Sequence, residues 1–222
     1  MPPKRDYIAE ILSKTGRLHR RGTPIDSFTR RVEPLVKGFR VIKGSRNASC
    51  REEWLKYGAI GYVACIEGYL RLWIARLINH GTPFIERVAA LDSLKFSPEA
   101  VVGIHVGRVS IGDFVAHLLP LNGITDINAQ FSVLMGQDFI GLIKKSPPSS
   151  RNPTPVGQLW PKMIGEVDAL FKLRHVYAHE LATRESVPAG KIEHYISSSA
   201  SFVFTVEGLF TQAITRPRPK RS

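Results

Sequence analysis

The stretch from Ser49 to Gly81 limits what this chain can fold into more than any other. Leu55, Ala59, Tyr62, Ile66, Tyr69, Trp73 and Leu77 recur at intervals of three and four residues, a spacing that lines one face of an α-helix. At 3.6 residues per turn the seam lasts about six turns. A helix so long with one apolar stripe needs other helices to cover it, so the spacing predicts a bundle. Ser49-Cys50-Arg51-Glu52 reads as a capping box at its start. The predicted helix runs to Asn79 or His80 and stops at Gly81, with Pro83 just beyond. Glu67 and Arg71 stand one turn apart on it as an i,i+4 pair. Its aromatic residues read as core, not as a cofactor box.

The rest of the chain supplies the partners. A short amphipathic helix is predicted over 6–18, with Tyr7, Ile8, Ile11 and Leu12 apolar, and Gly22-Thr23-Pro24 breaks the chain after it. A second helix is predicted from Ser27, with Phe28, Val32, Leu35, Val36 and Phe39 on one face and Pro34 as a kink or restart point. Residues 43–47 read as a linker. A short helix follows over 83–95. Residues 96–108 show no clear period, and His105 has no assigned role there. Ser110 is expected to cap a helix through Leu118, and Asp126 another that continues to Leu142 and ends in Lys144 and Lys145. Residues 146–155, rich in proline and serine, form an exposed loop. The last two helices are predicted over 161–181 and from Lys191, separated by a turn at 184–190. No internal repeat is present. The class is all-α, with a basic helical extension over 1–47, an antiparallel bundle over 48–215 and a basic tail over 216–222.

Charge is distributed unevenly. The net charge of +12 over 222 residues comes wholly from the two ends. Residues 1–47 hold 12 Lys or Arg against four acids, the tail holds four Arg or Lys, and the body between balances at 15 against 15. A neutral body with basic ends fits an anionic polymer, most often nucleic acid. Arg17, Arg20, Arg21, Arg30 and Arg31 are the candidate RNA contacts in the extension, with Tyr177 in the penultimate helix. The N-terminus lacks the apolar core of a signal peptide, and no apolar run approaches a membrane span. Cys50 and Cys65 fall about four turns apart on one helix, too far for a disulfide. Reduced cysteines point to a cytoplasmic protein, in which the sequon Asn47-Ala48-Ser49 has no meaning.

The sharpest anomaly is Phe171–Glu180. Ile164, Val167 and Phe171 form an apolar row, and the next step of that row is Arg174. A guanidinium facing a core must be paired or must open onto a polar cleft, because an unpaired buried charge costs several kcal/mol. His175 and His179 stand within a turn and a half of it. Arg174 and His179 differ by about 140° around an ideal helix, yet a long arginine side chain lets both reach one anion. Arg beside His suits phosphoryl transfer: the cation neutralises charge on phosphate oxygens while the imidazole moves a proton near neutral pH. A nearby guanidinium also favours the neutral imidazole, which suits a general base.

A long first helix with an aromatic seam, a later helix ending Leu173-Arg174-His175 and then His179-Glu180, and a final amphipathic helix together resemble the HEPN superfamily. Its motif is an arginine, a polar residue and then a histidine, here Arg174, His175 and His179. Leu173 and Ala178 also look like the family's pattern, and the resemblance covers roughly 50–215. It implies a metal-independent ribonuclease that needs no cofactor. Two copies of the motif meet in a homodimer and cleave RNA by attack of the 2′-hydroxyl, leaving a 2′,3′-cyclic phosphate. Relatives include toxins and antiviral effectors, which implies an antitoxin or regulatory protein as partner. Some HEPN groups carry an acidic partner on another helix, and Glu67 is the candidate here.

Other readings stay open from the residues alone. His175 and His179 could hold zinc at i,i+4, although the pair lacks the His-Glu-x-x-His order and a third ligand. A non-catalytic RNA-binding, nucleotide-binding or scaffold module needs only the bundle and the basic ends. In the plainest case Arg174 pairs with a carboxylate across the bundle and the histidines are satisfied core residues.

Overall fold

The computed structural model describes residues 6–18, 22–91, 94–148, 152–179 and 189–215. Among these the chain is helical throughout, with no strand. The bundle is organised around α3 (Ala48–His80), whose seven seam residues are all buried. Its start is set by Asn47, whose side chain accepts from the Cys50 amide at 3.0 Å. The expected Ser49 box is therefore displaced by two residues, because Asn47 is an equally good cap and comes first. Gly81, at φ 95°, ends the helix as expected.

α1 (Tyr7–Leu18) and α2 (Pro24–Lys43) precede it. α2 starts at Pro24, not Ser27. Thr23 and Asp26 form a capping box, with the Thr23 amide donating to the Asp26 carboxylate at 2.8 Å, and Pro24 occupies a first-turn position that needs no N–H. The helix passes through Pro34 without ending. α2 runs antiparallel to α3: Gly38 lies under the Trp54 ring, Leu35 meets Gly61, and Arg31 reaches Gly68. A methyl group on Gly38 would collide with the indole. Phe28 packs edge-on against Tyr62, ring centroids 6.1 Å apart, and belongs with Val32 to the main core. The expected boundary at residue 47 thus does not separate an arm from a body. α2 is a wall of the bundle that happens to carry its charge outside.

α3 and the last helix, α11 (Ala189–Thr215), run side by side in the same direction. Tyr62 donates to the Ile196 carbonyl and Tyr69 to that of Val203, both at 3.2 Å, and Trp73 donates to Glu207 at 2.8 Å. The separation in sequence is 134 residues in all three, which only a parallel pair can sustain. The expected antiparallel bundle is therefore mixed, with α2 and α3 opposed but α3 and α11 aligned. α11 starts two residues before the predicted Lys191.

Between them the chain is more broken than its periodicity suggested. α4 (Phe84–Arg87) passes into one 3-10 turn. The unreadable 96–108 stretch holds α5 (Pro98–His105), capped by Ser97. α6 (Ile111–Leu118) starts at Ser110 as expected. The single helix predicted from Asp126 to Leu142 is two, α7 (Ile124–Met135) and α8 (Phe139–Lys145). Gly136 at φ 71° ends the first, and Asp138 caps the second by accepting from the Gly141 amide at 2.9 Å. Asp126 is not a cap residue. It lies in the first turn and accepts from the Asn122 amide. α9 (Val156–Leu159) is one turn after the proline-rich loop, and α10 (Met163–His179) follows. The turn expected at 184–190 lies mostly outside the described residues, as does the tail. Phe131, Phe139 and Phe210 stack at 4.9–5.5 Å in the centre. α1 instead joins α5 and α6 in a separate small cluster of Ile8, Ile11, Ala100, Val109 and Phe114. No helix among the described residues is long and apolar enough to cross a membrane.

Candidate functional site at the junction of α10 and α3

α10 buries Met163, Val167, Leu170 and Phe171. Arg174 continues that row and meets Glu67 of α3 in an ion pair. Both side chains keep about one fifth of their surface exposed, 21% and 20%, so the pair lies at the rim of the core. The partner was the candidate acid, 107 residues earlier in the chain. Burial pushes the Glu67 carboxyl above its ordinary value, against the opposing pull of Arg174 and Arg71.

Arg71 does not bond to Glu67 as an i,i+4 partner. Its guanidinium turns to the end of α6, where it donates to the carbonyls of Ala116, His117 and Leu119, the last at 3.1 Å. It thereby satisfies acceptors that the end of a helix leaves open. Burial lowers its proton affinity, and the charge of Glu67 raises it. The result is a half-buried cluster of two guanidiniums and one carboxylate. Sequence spacing identified Glu67 and Arg71 but not that α6 holds Arg71.

His175 does not share this cluster. It is exposed and lines a separate depression with Asn122, Gly123, Asp126, Asp168 and Lys172. Lys172 is paired there with Asp168 at 2.7 Å. Consecutive residues on a helix point about 100° apart, so Arg174 can face α3 only by turning His175 to the α7 side. Tyr177 is only 8% exposed and belongs to the main core. Its ring is packed inside the bundle, not presented to RNA as expected. His179 ends α10, and its side chain lies outside the described residues. So do the side chain of Arg17 and the whole of Arg20 and Arg21. Arg30 and Arg31 are exposed on α2, Arg30 bonding back to the Asp26 carbonyl at 3.3 Å. Among the described residues no three His, Cys, Asp or Glu side chains gather as a metal site.

One further constellation has catalytic residue types but the wrong order. Ser198 and His194, at 2.7 Å for the latter, both bond to the carboxylate of Glu166. A nucleophilic triad needs the imidazole between hydroxyl and carboxylate so that it can take the hydroxyl proton. Here the carboxylate is in the middle, and the cluster instead ties α10 to α11.

Comparison with protein-family models, curated proteins and solved structures gives no match for this chain.

Proposed function

We propose that this chain is a metal-independent endoribonuclease of the HEPN type, working in the cytoplasm as a homodimer. The observation that carries the reading is Arg174: a guanidinium in an inward row, kept at the rim by a carboxylate, at the arginine position of an Arg-x4-His motif. In this mechanism the 2′-oxygen of RNA attacks the adjacent phosphorus, and its proton passes to His179. Arg174 neutralises the charge that gathers on the phosphate oxygens. The bond from phosphorus to the 5′-oxygen breaks, the departing oxygen takes up a proton, and a 2′,3′-cyclic phosphate remains. The two-fold axis of a dimer would supply two copies of the motif to one cleft. Such an activity suits a toxin or defence effector restrained by an antitoxin or regulatory protein.

The pairing of Arg174 with Glu67 inside one chain equally suits a non-catalytic RNA-binding bundle. One experiment separates the two: purified protein is incubated with mixed RNA in EDTA beside Arg174→Ala and His179→Ala variants. The nuclease reading expects cleavage in EDTA, cyclic phosphate ends, no cut at a 2′-deoxy nucleotide, and losses of about 10²–10⁴-fold in either variant. RNA binding without cleavage would leave the binding module.

A further inference from the structure

The geometry of the Arg174, Glu67 and Arg71 cluster points to a carboxylate that changes partner. We propose that Glu67 holds Arg174 in the free chain and passes to Arg71, one turn along α3, when an RNA phosphate takes Arg174. The inference rests on the functional reading above only in naming RNA as the source of the phosphate.

A phosphodiester that grips both terminal nitrogens of Arg174 must displace the Glu67 carboxylate, which is bonded to one of them. A carboxylate displaced at a site four-fifths covered would ordinarily be left as an uncompensated charge, which is costly. Arg71 removes that obstacle. Its guanidinium is fixed by the α6 carbonyls and already feels the charge of Glu67. Residues i and i+4 on a helix are neighbours, so a change of rotamer is enough to transfer the carboxylate. Arg71, held by α6, is not itself available to a ligand. The cluster carries two positive charges and one negative, so one singly charged phosphodiester brings it to neutrality. Among the described residues, the charged groups that act on Glu67 are Arg174 from α10 and Arg71 from its own helix, with neutral carbonyls of α6 behind Arg71. Glu67 is thus a positioning residue that sets a threshold for phosphate.

The test uses the full chain and a short fluorescent RNA with 2′-O-methyl sugars throughout, so that binding is read without cleavage. Anisotropy is measured from pH 5 to 8 for wild type, Glu67→Gln, Arg71→Gln and the double variant. Glu67→Gln is expected to bind on the order of tenfold tighter at neutral pH, and to lose that gain when Arg174→Ala is added. Wild type should approach the Glu67→Gln affinity as the pH falls and Glu67 takes a proton. Arg71→Gln should bind more weakly, with Glu67→Gln restoring the affinity. If Arg71→Gln fails to fold, by circular dichroism, the Glu67→Gln arms decide alone. A Glu67→Gln protein that binds no tighter, a gain that survives Arg174→Ala, or the absence of any Arg174-dependent binding overturns the proposal. Failure of cleavage in wild type, with these binding results intact, overturns the nuclease reading and leaves the exchange of partners standing.

Discussion

The indole of Trp73 donates to the Glu207 carboxylate at 2.8 Å, and Tyr69, one turn earlier, donates to the same oxygen at 2.9 Å. One acid on α11 thus answers two donors on α3. Glu207→Ala leaves the buried indole N–H without its partner, whereas Tyr69 keeps the Val203 carbonyl. The expected cost is about 1–3 kcal/mol, or a fall of about 2–4 °C in melting temperature per kcal/mol at this chain length. An unchanged melting curve would show that these bonds merely replace equivalent ones to water.

Two glycines should respond in opposite directions to alanine. A methyl group at Gly112 would strike the Ala75 carbonyl and the Asn79 side chain, where α6 crosses α3. Because one obstacle is backbone, Gly112→Ala is expected to cost about 1–3 kcal/mol. Gly208, in the interior of α11, has open space where a methyl would go. Gly208→Ala should add about 0.5–1 kcal/mol by lowering the entropy of the unfolded chain. Urea midpoints of the two variants on opposite sides of wild type would bear this out; two shifts of one sign would not.

The tie between α10 and α11 should depend on acidity. Burial pushes the Glu166 carboxyl up, but hydrogen bonds from Ser198 and His194 and the charges of His194 and Lys162 outweigh it and leave it below the ordinary value. A carboxyl depressed by folding adds stability that is complete above the unfolded value of about 4.3 and fades as the pH falls through the folded one. Glu166→Gln should therefore melt lower than wild type at pH 6–7, by a margin that shrinks as the pH falls below about 4. A gap that does not shrink would mean that packing, not charge, makes the difference.

If the exposed arginines of α2 carry RNA, Arg30→Ala and Arg31→Ala should act on salt dependence more than on chemistry. Removing one arginine from an RNA phosphate is expected to reduce the slope of log affinity against log salt by about 0.7 for single-stranded RNA, with the cleavage rate at saturating RNA unchanged. Deleting 1–47 is not a clean alternative, since it would strip Phe28 and Val32 from the core. Unchanged slopes in both variants would assign the α2 charges to another partner or to none.

How far the sequence carried the fold depended on how local the deciding interaction was. The α3 seam and the stop at Gly81 were legible because a single helix period and one glycine determine them. α5 was not: Val101-Val102-Gly103-Ile104 is β-branched and short, and only Ser97-Pro98 marks a helix start there. The break at Gly136 was hidden because Phe131, Leu134 and Phe139 keep nearly helical spacing across it. Arg174 stood out as a charge in an apolar row, and that anomaly does mark an ion pair. The splitting of His175 from Arg174 depended on which flank of α10 meets α3, which no local pattern encodes. Tyr177 looked like an RNA contact by type, but its position on the inward row buried it.

The small cluster under α1 divides the chain into parts of unequal permanence. Among its described side chains α1 buries Ile8 and Ile11 in a cluster apart from the main core, and a 3.0 Å contact between Glu10 and His117 fastens its outer edge. Elements with so little buried area open at free energies far below global unfolding. The first helix is therefore a detachable cover over α5 and α6, and amide exchange along 7–18 should report its lifting while the α3 amides stay protected.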